Sequence, residues 1–308
     1  MTVQSIYKDK VALITGGASG IGAAIGRQIA NQGARVVLAD RQLALAESVA
    51  ASIRDSGGSA IAFELDVRHM AAMTNVVGST VARWGNVDYF FNNAGIGVGG
   101  EAEDYEPRDW DDVFDVNLRG VAYGIQAVYP VMRRQRSGHI VNTASVAGLI
   151  ASPGQVAYSA SKHAVVGLSK ALRVEAKHYG VRVSALCPGV IRTPILTGGK
   201  FGRINTVTVP EEKLLKMWER LRPMDADLFA SKVLSAVTRN EPIIVVPGWW
   251  KLVWMLDRLS PALSLKVTDV MFERMRAELA AAGGRTPQRQ REMSEANVSP
   301  SSKSKIAN

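Results

Sequence analysis

The sequence contains one cysteine, Cys187, and four histidines scattered at positions 69, 139, 163 and 178. A lone cysteine excludes an internal disulfide and any multi-cysteine zinc site, and it fits a reducing cytosol. The histidines lack the paired spacing that holds a catalytic metal, so no metal site is expected and a zinc-dependent alcohol dehydrogenase is disfavoured. Eighteen consecutive apolar residues occur nowhere, and the first ten residues carry no apolar signal core. Neither secretion nor membrane spanning is expected, and the cytoplasm is the expected compartment. Ala144-Ser145-Val146 is not the Gly-x-Ser-x-Gly elbow on which a serine hydrolase mounts its nucleophile. Redox chemistry in such a chain has to come from a bound cofactor.

What is present is ordinary for a globular protein: 47% hydrophobic and 21% charged residues over 308 positions. The formal charge of +9 is partly terminal, since residues 281–308 hold five Lys/Arg (Arg285, Arg289, Arg291, Lys303, Lys305) against Glu292 and Glu295. The remaining excess is diffuse, and nucleic-acid binding is not expected. Seven short apolar runs alternate with helical patterns: Val11–Thr15, Arg35–Ala39, Ala60–Phe63, Val87–Phe91, His139–Asn142, Val181–Leu186 and Ile243–Val246. Several are apolar almost throughout, as strands buried on both faces are. Helices are expected at 21–32, 42–55, 70–84, 109–135, 155–179 and 225–239. This alternation predicts an α/β fold with a doubly wound, parallel, seven-stranded sheet in one domain. That domain is expected to span residues 1–248, followed by an amphipathic helical extension at 249–282 and a disordered basic tail at 283–308. Residues 190–224 are long for a connection and form a candidate lid with a helix from Glu211 to Leu221.

Thr15-Gly16-Gly17-Ala18-Ser19-Gly20-Ile21-Gly22 joins the first strand to the first helix. Glycines there let the backbone approach a pyrophosphate, whose charge meets the free N–H groups of the helix N-terminus. A lone glycine-rich turn is weak evidence, but here an acid, Asp40, ends the second strand about 20 residues on, as ribose recognition requires. Asp40 would accept from both ribose hydroxyls and repel a 2′-phosphate, which favours NAD over NADP. Arg41 beside it could instead pair with that phosphate if Asp40 turned away, and an Asp at a strand end is also a common helix cap, but NAD remains the favoured reading.

Tyr158 and Lys162 stand one helical turn apart, so an ammonium lies beside a phenol. A free phenol with a pKa near 10 is a poor base at neutral pH, and lowering it by about three units requires roughly 4 kcal/mol of preferential stabilisation of phenolate. Taken alone, such a pair is most often a packed aromatic beside a solvated lysine. Its company changes the weight. Asp66-Val67 ends the third strand, Asn92-Asn93-Ala94-Gly95 ends the fourth, Asn117 lies in the next helix, Asn142-Thr-Ala-Ser145 follows the fifth strand, and Pro188-Gly189 with Thr193 follows the sixth. Individually Asp66, Asn93, Asn117 and Ser145 could be only caps or turn formers.

With these motifs in this order, the chain resembles the short-chain dehydrogenase/reductase family over roughly residues 8–248. The resemblance implies a Rossmann-type fold and a nicotinamide-dependent oxidoreductase acting on CH–OH groups. It implies Tyr158 as general acid/base, Ser145 hydrogen-bonded to the substrate oxygen, Lys162 on the nicotinamide ribose and lowering the Tyr158 pKa, and Asn117 helping to hold a water in a proton relay. It also implies cofactor contacts from Gly16, Ser19, Gly20, Ile21, Gly22, Asp40, Arg41, Asp66, Val67, Asn93, Ala94, Gly95, Pro188, Gly189 and Thr193. A homodimer or homotetramer built on the helices at 109–135 and 155–179 is implied as well. A catalytically silent NAD(H)-binding protein of the same fold is the alternative, and Cys187 is read as inert core.

Trp249, Trp250 and Trp254, with Leu252, Val253, Leu256 and Leu259, form a broad apolar face after the last strand, while Lys251 and Arg258 lie a heptad apart on the other. Such a helix either packs over the active-site mouth or another subunit, or lies in a membrane interface through residues 249–263. Both predict an apolar substrate, a secondary alcohol or ketone or a long-chain alcohol or aldehyde.

Overall fold

A computed structural model describes residues 6–204 and 211–281. In chain order the first half runs β1 (Val11–Thr15), α1 (Gly20–Ala30), β2 (Arg35–Asp40), α2 (Leu43–Asp55), β3 (Ser59–Glu64), α3 (Met70–Trp84), β4 (Tyr89–Asn92) and β5 (Val98–Gly99). It continues with α4 (Pro107–Phe114), α5 (Gly120–Gln135), β6 (Gly138–Thr143), α6 (Val156–Lys177), β7 (Val181–Pro188) and β8 (Arg203–Ile204). The last elements are α7 (Glu211–Glu219), α8 (Ala226–Thr238), β9 (Ile243–Val246), α9 (Trp250–Leu259) and α10 (Pro261–Ala281).

Seven strands form one parallel sheet in the order β3-β2-β1-β4-β6-β7-β9. The chain winds outward from β1 through β2 to β3, then returns to place β4 on the other side of β1. This reversal opens a crevice beyond the carboxyl ends of β1 and β4, where ligands bind in open α/β sheets. Alternation along the strands feeds two cores. Ile14 and Phe91 face the layer of α1, α2 and α8, and Leu13 and Phe90 face the layer of α3, α5 and α6. All four are fully buried, which is why these strands read as unbroken apolar runs. Local chemistry sets the helix ends. Asp225 accepts from the backbone N–H groups of Asp227 and Leu228 at 2.9 Å to start α8, and Gly85 in the left-handed conformation stops α3.

Three features depart from the sequence reading. The helix expected over 109–135 is α4 and α5 joined by a π-helical turn, Asp115–Arg119. Residues 98–99 and 203–204 form a separate two-stranded parallel ladder that no apolar run announces. The extension is two helices, because Pro261 has no N–H to continue α9 and biases Ser260 away from helical geometry. The expected disordered tail at 283–308 lies outside the described residues. No helix among the described residues is long and apolar enough to cross a membrane.

Candidate active site

The turns that follow β1, β4 and β6 are stitched together at the crevice. Gly16 N–H donates to Ala39 O at 2.8 Å, holding the glycine-rich turn to the end of β2. The Thr15 hydroxyl accepts from Asn93 N–H at 2.9 Å and Ala94 N–H at 3.0 Å, and Asn93 Nδ2 donates back to Thr15 O at 3.1 Å. Gly20 opens α1 at φ +51°, and a Cβ there would stand 3.2 Å from Thr193, so the segment after β7 passes directly over the turn. Ser19 precedes α1 without capping it, and the first turn holds no acidic side chain. The first N–H groups of α1 are therefore not engaged by a side-chain cap, the arrangement that receives an anion. Gly22 is buried against the turn, while Ile21 packs its side chain on the core.

Asp40 ends β2 with its carboxylate turned toward this site. One oxygen accepts from Ala18 N–H at 3.1 Å and the other from Gln42 N–H at 2.9 Å. Arg41 points elsewhere: its Nε lies 3.4 Å from Asp66 and its guanidinium sits 4.4 Å from the ring centre of Phe201. Asp66 also takes a fork of hydrogen bonds from Arg68 at 2.7–3.1 Å. Against the upward push of burial, the Arg68 hydrogen bonds and charge, with help from Arg41, hold Asp66 below its ordinary pKa. Val67 is buried against Gly120 of α5, which leaves its main chain rather than its side chain for any ligand. Arg41, Asp66, Lys200 and Phe201 line a cavity of about 570 Å³ beyond the end of β2.

Deeper in the crevice, α6 presents Tyr158 and Lys162 to the turn that carries Ser145. Lys162 is buried, with Nζ 5.5 Å from the centre of the Tyr158 ring, and donates to Thr143 O at 2.8 Å. Burial draws the Lys162 pKa down to about 8 from an ordinary 10.5. Burial pushes the Tyr158 phenol above its ordinary value, and a hydrogen bond with the Ser145 side chain pulls it partly back. In the unliganded protein the phenol therefore does not show the lowering expected of a neighbouring ammonium. Ser145 is held in place by its hydroxyl, which accepts from Ala147 N–H at 3.1 Å. Cys187 lies beneath the pair, buried, with its thiol pushed up to about 12.

The π-helical turn aims Asn117 inward, where such an insertion commonly marks a site. Its Nδ2 donates to Ile96 O at 2.9 Å and Ser161 Oγ at 3.3 Å, and its Oδ1 accepts from Ile96 N–H at 2.9 Å. Asn117 thus pins the turn after β4 to α6, with both amide hydrogens engaged. A Cβ on Gly95 would stand 3.2 Å from Asn117 Oδ1 and 3.4 Å from Lys162 Nζ, so that residue must stay small. Pro188 ends β7, Gly189 N–H donates to Val246 O at 2.8 Å, and the indole nitrogen of Trp250 occupies the space a Cβ on Gly189 would need.

The structure brings the expected site residues to the turns at the carboxyl edge of the sheet and to the facing helices, with Arg41 drawn aside and the Val67 side chain buried, and it adds three neighbours that were not anticipated. Thr143 supplies the carbonyl that fixes Lys162. Phe201 covers Arg41. Arg203 pairs with Asp109 at 2.7 Å and Asp112 at 2.8 Å, clasping the segment after β7 onto α4. The run of glycines at 198, 199 and 202 marks this loop in the sequence, but nothing there says where it lands. Among the described residues no group of three or more His, Cys, Asp or Glu is placed to hold a metal ion.

Comparison with known proteins agrees with the fold. A model of the short chain dehydrogenase family matches residues 10–199, from β1 through the turn after β7. The chain is 40% identical over 193 residues to a levodione reductase from Leifsonia aquatica, covering 62% of this chain and 72% of that protein. It is likewise 40% identical over 187 residues to a cyclopentanol dehydrogenase from Comamonas testosteroni, covering 61% and 75%. A short chain dehydrogenase/reductase from Burkholderia phymatum, solved in complex with NAD, superposes with a TM-score of 0.74 at 31% identity, covering 83% of this chain and 95% of that one.

Proposed function

The chain belongs to the short-chain dehydrogenase/reductase family, and from that premise we propose that it is an NAD-dependent oxidoreductase interconverting an apolar secondary alcohol and its ketone, with Tyr158 as general acid/base. One observation carries the reading: the Tyr158 phenol, the Ser145 hydroxyl and the Lys162 ammonium converge at the crevice that also holds the open N-terminus of α1. The names of two relatives, acting on a cyclic alcohol and on levodione, support the substrate class.

The crevice fits a dinucleotide. A backbone left bare by Gly16 and Gly20 and the uncapped first turn of α1, at Ser19, Ile21 and Gly22, suit a pyrophosphate. Asp40 would receive the adenosine ribose and the end of β3 at Asp66 and Val67 the adenine, while Asn93, Ala94 and Gly95 line the floor. Lys162, Pro188, Gly189 and Thr193 would hold the nicotinamide end. Once bound, the nicotinamide supplies the carbon that exchanges hydride and, when oxidised, a positive charge beside Tyr158.

The protein's own part is proton handling. In carbonyl reduction the phenol O–H of Tyr158 donates its proton to the substrate oxygen, and in alcohol oxidation the phenolate accepts it. Ser145 donates a hydrogen bond to the same oxygen and steadies the charge that develops on it. Lys162, locked to Thr143 O, keeps a cation near the phenol when protonated. Burial raises the Tyr158 pKa and the Ser145 hydrogen bond offsets this only in part, so an oxidised nicotinamide held beside the phenol would favour the phenolate. Asn117 acts as a positioning residue, because its engaged amide fixes the turn that faces Lys162. The preference for NAD rests on Asp40, whose charge would face a 2′-phosphate while Arg41 is drawn aside by Asp66 and Phe201.

The test is an NAD-linked screen over alcohols graded in size and apolarity, run on the wild type and on Tyr158→Phe. Turnover in the wild type and a loss of about 10²- to 10⁴-fold in kcat/KM in the variant, with NADH binding intact, is expected. Full activity in Tyr158→Phe would refute the mechanism, and NADH binding without any turnover in the wild type would point to the silent alternative.

A further inference from the structure

The extension after β9 was expected to carry one broad apolar face, but the structure divides it. Trp250, Val253 and Trp254 turn inward, with both tryptophans packed on the cluster that includes Leu149, Cys187 and Val245. Leu252, Met255, Leu256 and Leu259 face solvent, at the i, i+3, i+4, i+7 spacing of a second apolar stripe. Leu252 is 70% exposed and Leu259 83%. Beyond the break at Ser260, α10 carries exposed apolar residues of its own, Leu263, Val267, Val270 and Met271, with Leu265 exposed as well. A helix apolar on both faces has buried only one of them here. Soluble surfaces rarely leave so much aliphatic side chain in water without a partner.

The surroundings of this face indicate that partner. Trp249, 42% exposed and stacked on Trp250 at 4.2 Å, stands at its near end, as amphipathic aromatics do at a lipid–water boundary. Arg258 and Lys266 are exposed beside the stripes, with no carboxylate within ion-pair distance among the described residues. The sequence beyond Ala281 adds five Lys/Arg against two acids, on a chain of formal charge +9. Acids lie among these cations as well, at Asp257, Asp269, Glu273 and Glu278, the last two paired with Arg276 and Arg220. It is therefore Arg258, Lys266 and the basic sequence beyond Ala281 that leave a positive excess, which an anionic bilayer complements along with the apolar stripes.

We propose that α9 and α10 dock the protein on an anionic membrane surface, with the aliphatic stripes entering the headgroup boundary and the cations meeting lipid phosphates. The placement is close to the crevice. On its other sides α10 pairs Arg276 with Glu101 at 3.0 Å and Glu278 with Arg220 at 2.6 Å, and sets Phe272 beside Gly154. Gly154 lies two residues before α6 and its carbonyl accepts from Gly100 N–H at 2.8 Å, so the Glu101 and Gly154 contacts border the N-terminal end of α6, where Tyr158 lies. An apolar alcohol could thus arrive from the bilayer; that corollary rests on the functional reading, whereas the docking does not.

Flotation of the full chain with phosphatidylglycerol vesicles, phosphatidylcholine vesicles and no vesicles tests the docking. Co-flotation is expected with phosphatidylglycerol, weakened by salt and by neutral lipid. Leu252→Ser with Leu259→Ser should lower partitioning about 100-fold, taking about tenfold for each leucine buried. Both side chains are exposed, so thermal midpoint and turnover of a water-soluble alcohol should stay at wild-type values, which separates failed docking from a failed catalytic reading. Arg258→Gln with Lys266→Gln should weaken binding to phosphatidylglycerol and leave the phosphatidylcholine arm unchanged. Wild-type protein that stays below the vesicles at low salt overturns the proposal. So does a concentration-dependent dimer that the leucine substitutions dissolve while vesicles capture nothing, since the occupant would then be a second copy.

Discussion

Replacing Lys162 with methionine should abolish turnover and yet make the unliganded protein relatively more stable at neutral pH than at alkaline pH. Lys162 is 2% exposed, and burial draws its pKa to about 8 from 10.5. The folded-state pKa lies below the unfolded one, so holding the ammonium in the fold destabilises it fully below pH 8. The penalty fades between about pH 8 and 10.5 as the unfolded lysine also loses its proton. The gap corresponds to about 3 kcal/mol, falling at about 1.4 kcal/mol per pH unit across that window. Methionine removes the penalty but leaves Thr143 O, which Lys162 Nζ now reaches at 2.8 Å, without that donor. That loss is about 1–3 kcal/mol and does not depend on pH. The net gain at pH 7 is therefore between about zero and 2 kcal/mol, while the pH-dependent part is free of the Thr143 contribution. Urea unfolding of both proteins without nucleotide, at pH 7, 8, 9 and 10, measures it. A variant-minus-wild-type difference that stays flat from pH 7 to 10 would refute the claim that a charged lysine is held against its solvation at this site.

Two further outcomes follow from the same crevice. Asp40→Asn keeps an acceptor for Ala18 N–H but removes the charge, so the NADP-to-NAD ratio of kcat/KM should rise about tenfold; an unchanged ratio in a steady-state assay with both cofactors would show that Asp40 does not discriminate. Gly189→Ala should lower stability by about 1–3 kcal/mol in denaturant unfolding, because its methyl group meets the indole nitrogen of Trp250; a stability within 0.5 kcal/mol or so of wild type would mean that α9 moves aside readily.

Much of the fold was legible because its strands are buried on both faces. Leu13 and Ile14 point to opposite cores and both must be apolar, so β1 appears as an unbroken run that a half-exposed strand would not give. The order of Gly16, Asp40, Asn93, Ser145, Tyr158 and Lys162 was legible for a related reason: a parallel sheet gathers the carboxyl ends of its strands, so sequence order becomes spatial adjacency. What escaped the sequence depends on contacts between distant segments. The π-helical turn around Asn117 follows from its bonds to Ile96 and Ser161, which no helical periodicity encodes. The Arg203 clasp links residues more than 90 positions apart. In α9, periodicity shows that Trp250 and Leu252 are both apolar but not which is inside; the packing against Val245 and Cys187 decides that.

The return of the chain from β3 to a strand beside β1 also bears on how the protein reaches its native state. Val11 N–H is hydrogen-bonded to Asp88, 77 residues along the chain, and every strand pairing waits for a crossover to close. Loop-closure entropy has to be met before such non-local pairings give anything back, so the assembly of the central strands is the slow event. The floor of the crevice joins the ends of β1, β4, β6 and β7, which that event brings together. A half-assembled chain would have helices and apolar clusters but no floor for a nucleotide, and its unpaired strand edges would be open to other chains. Competence to bind nucleotide is therefore expected to appear with the completed sheet, and the gain of nucleotide binding during refolding would report it.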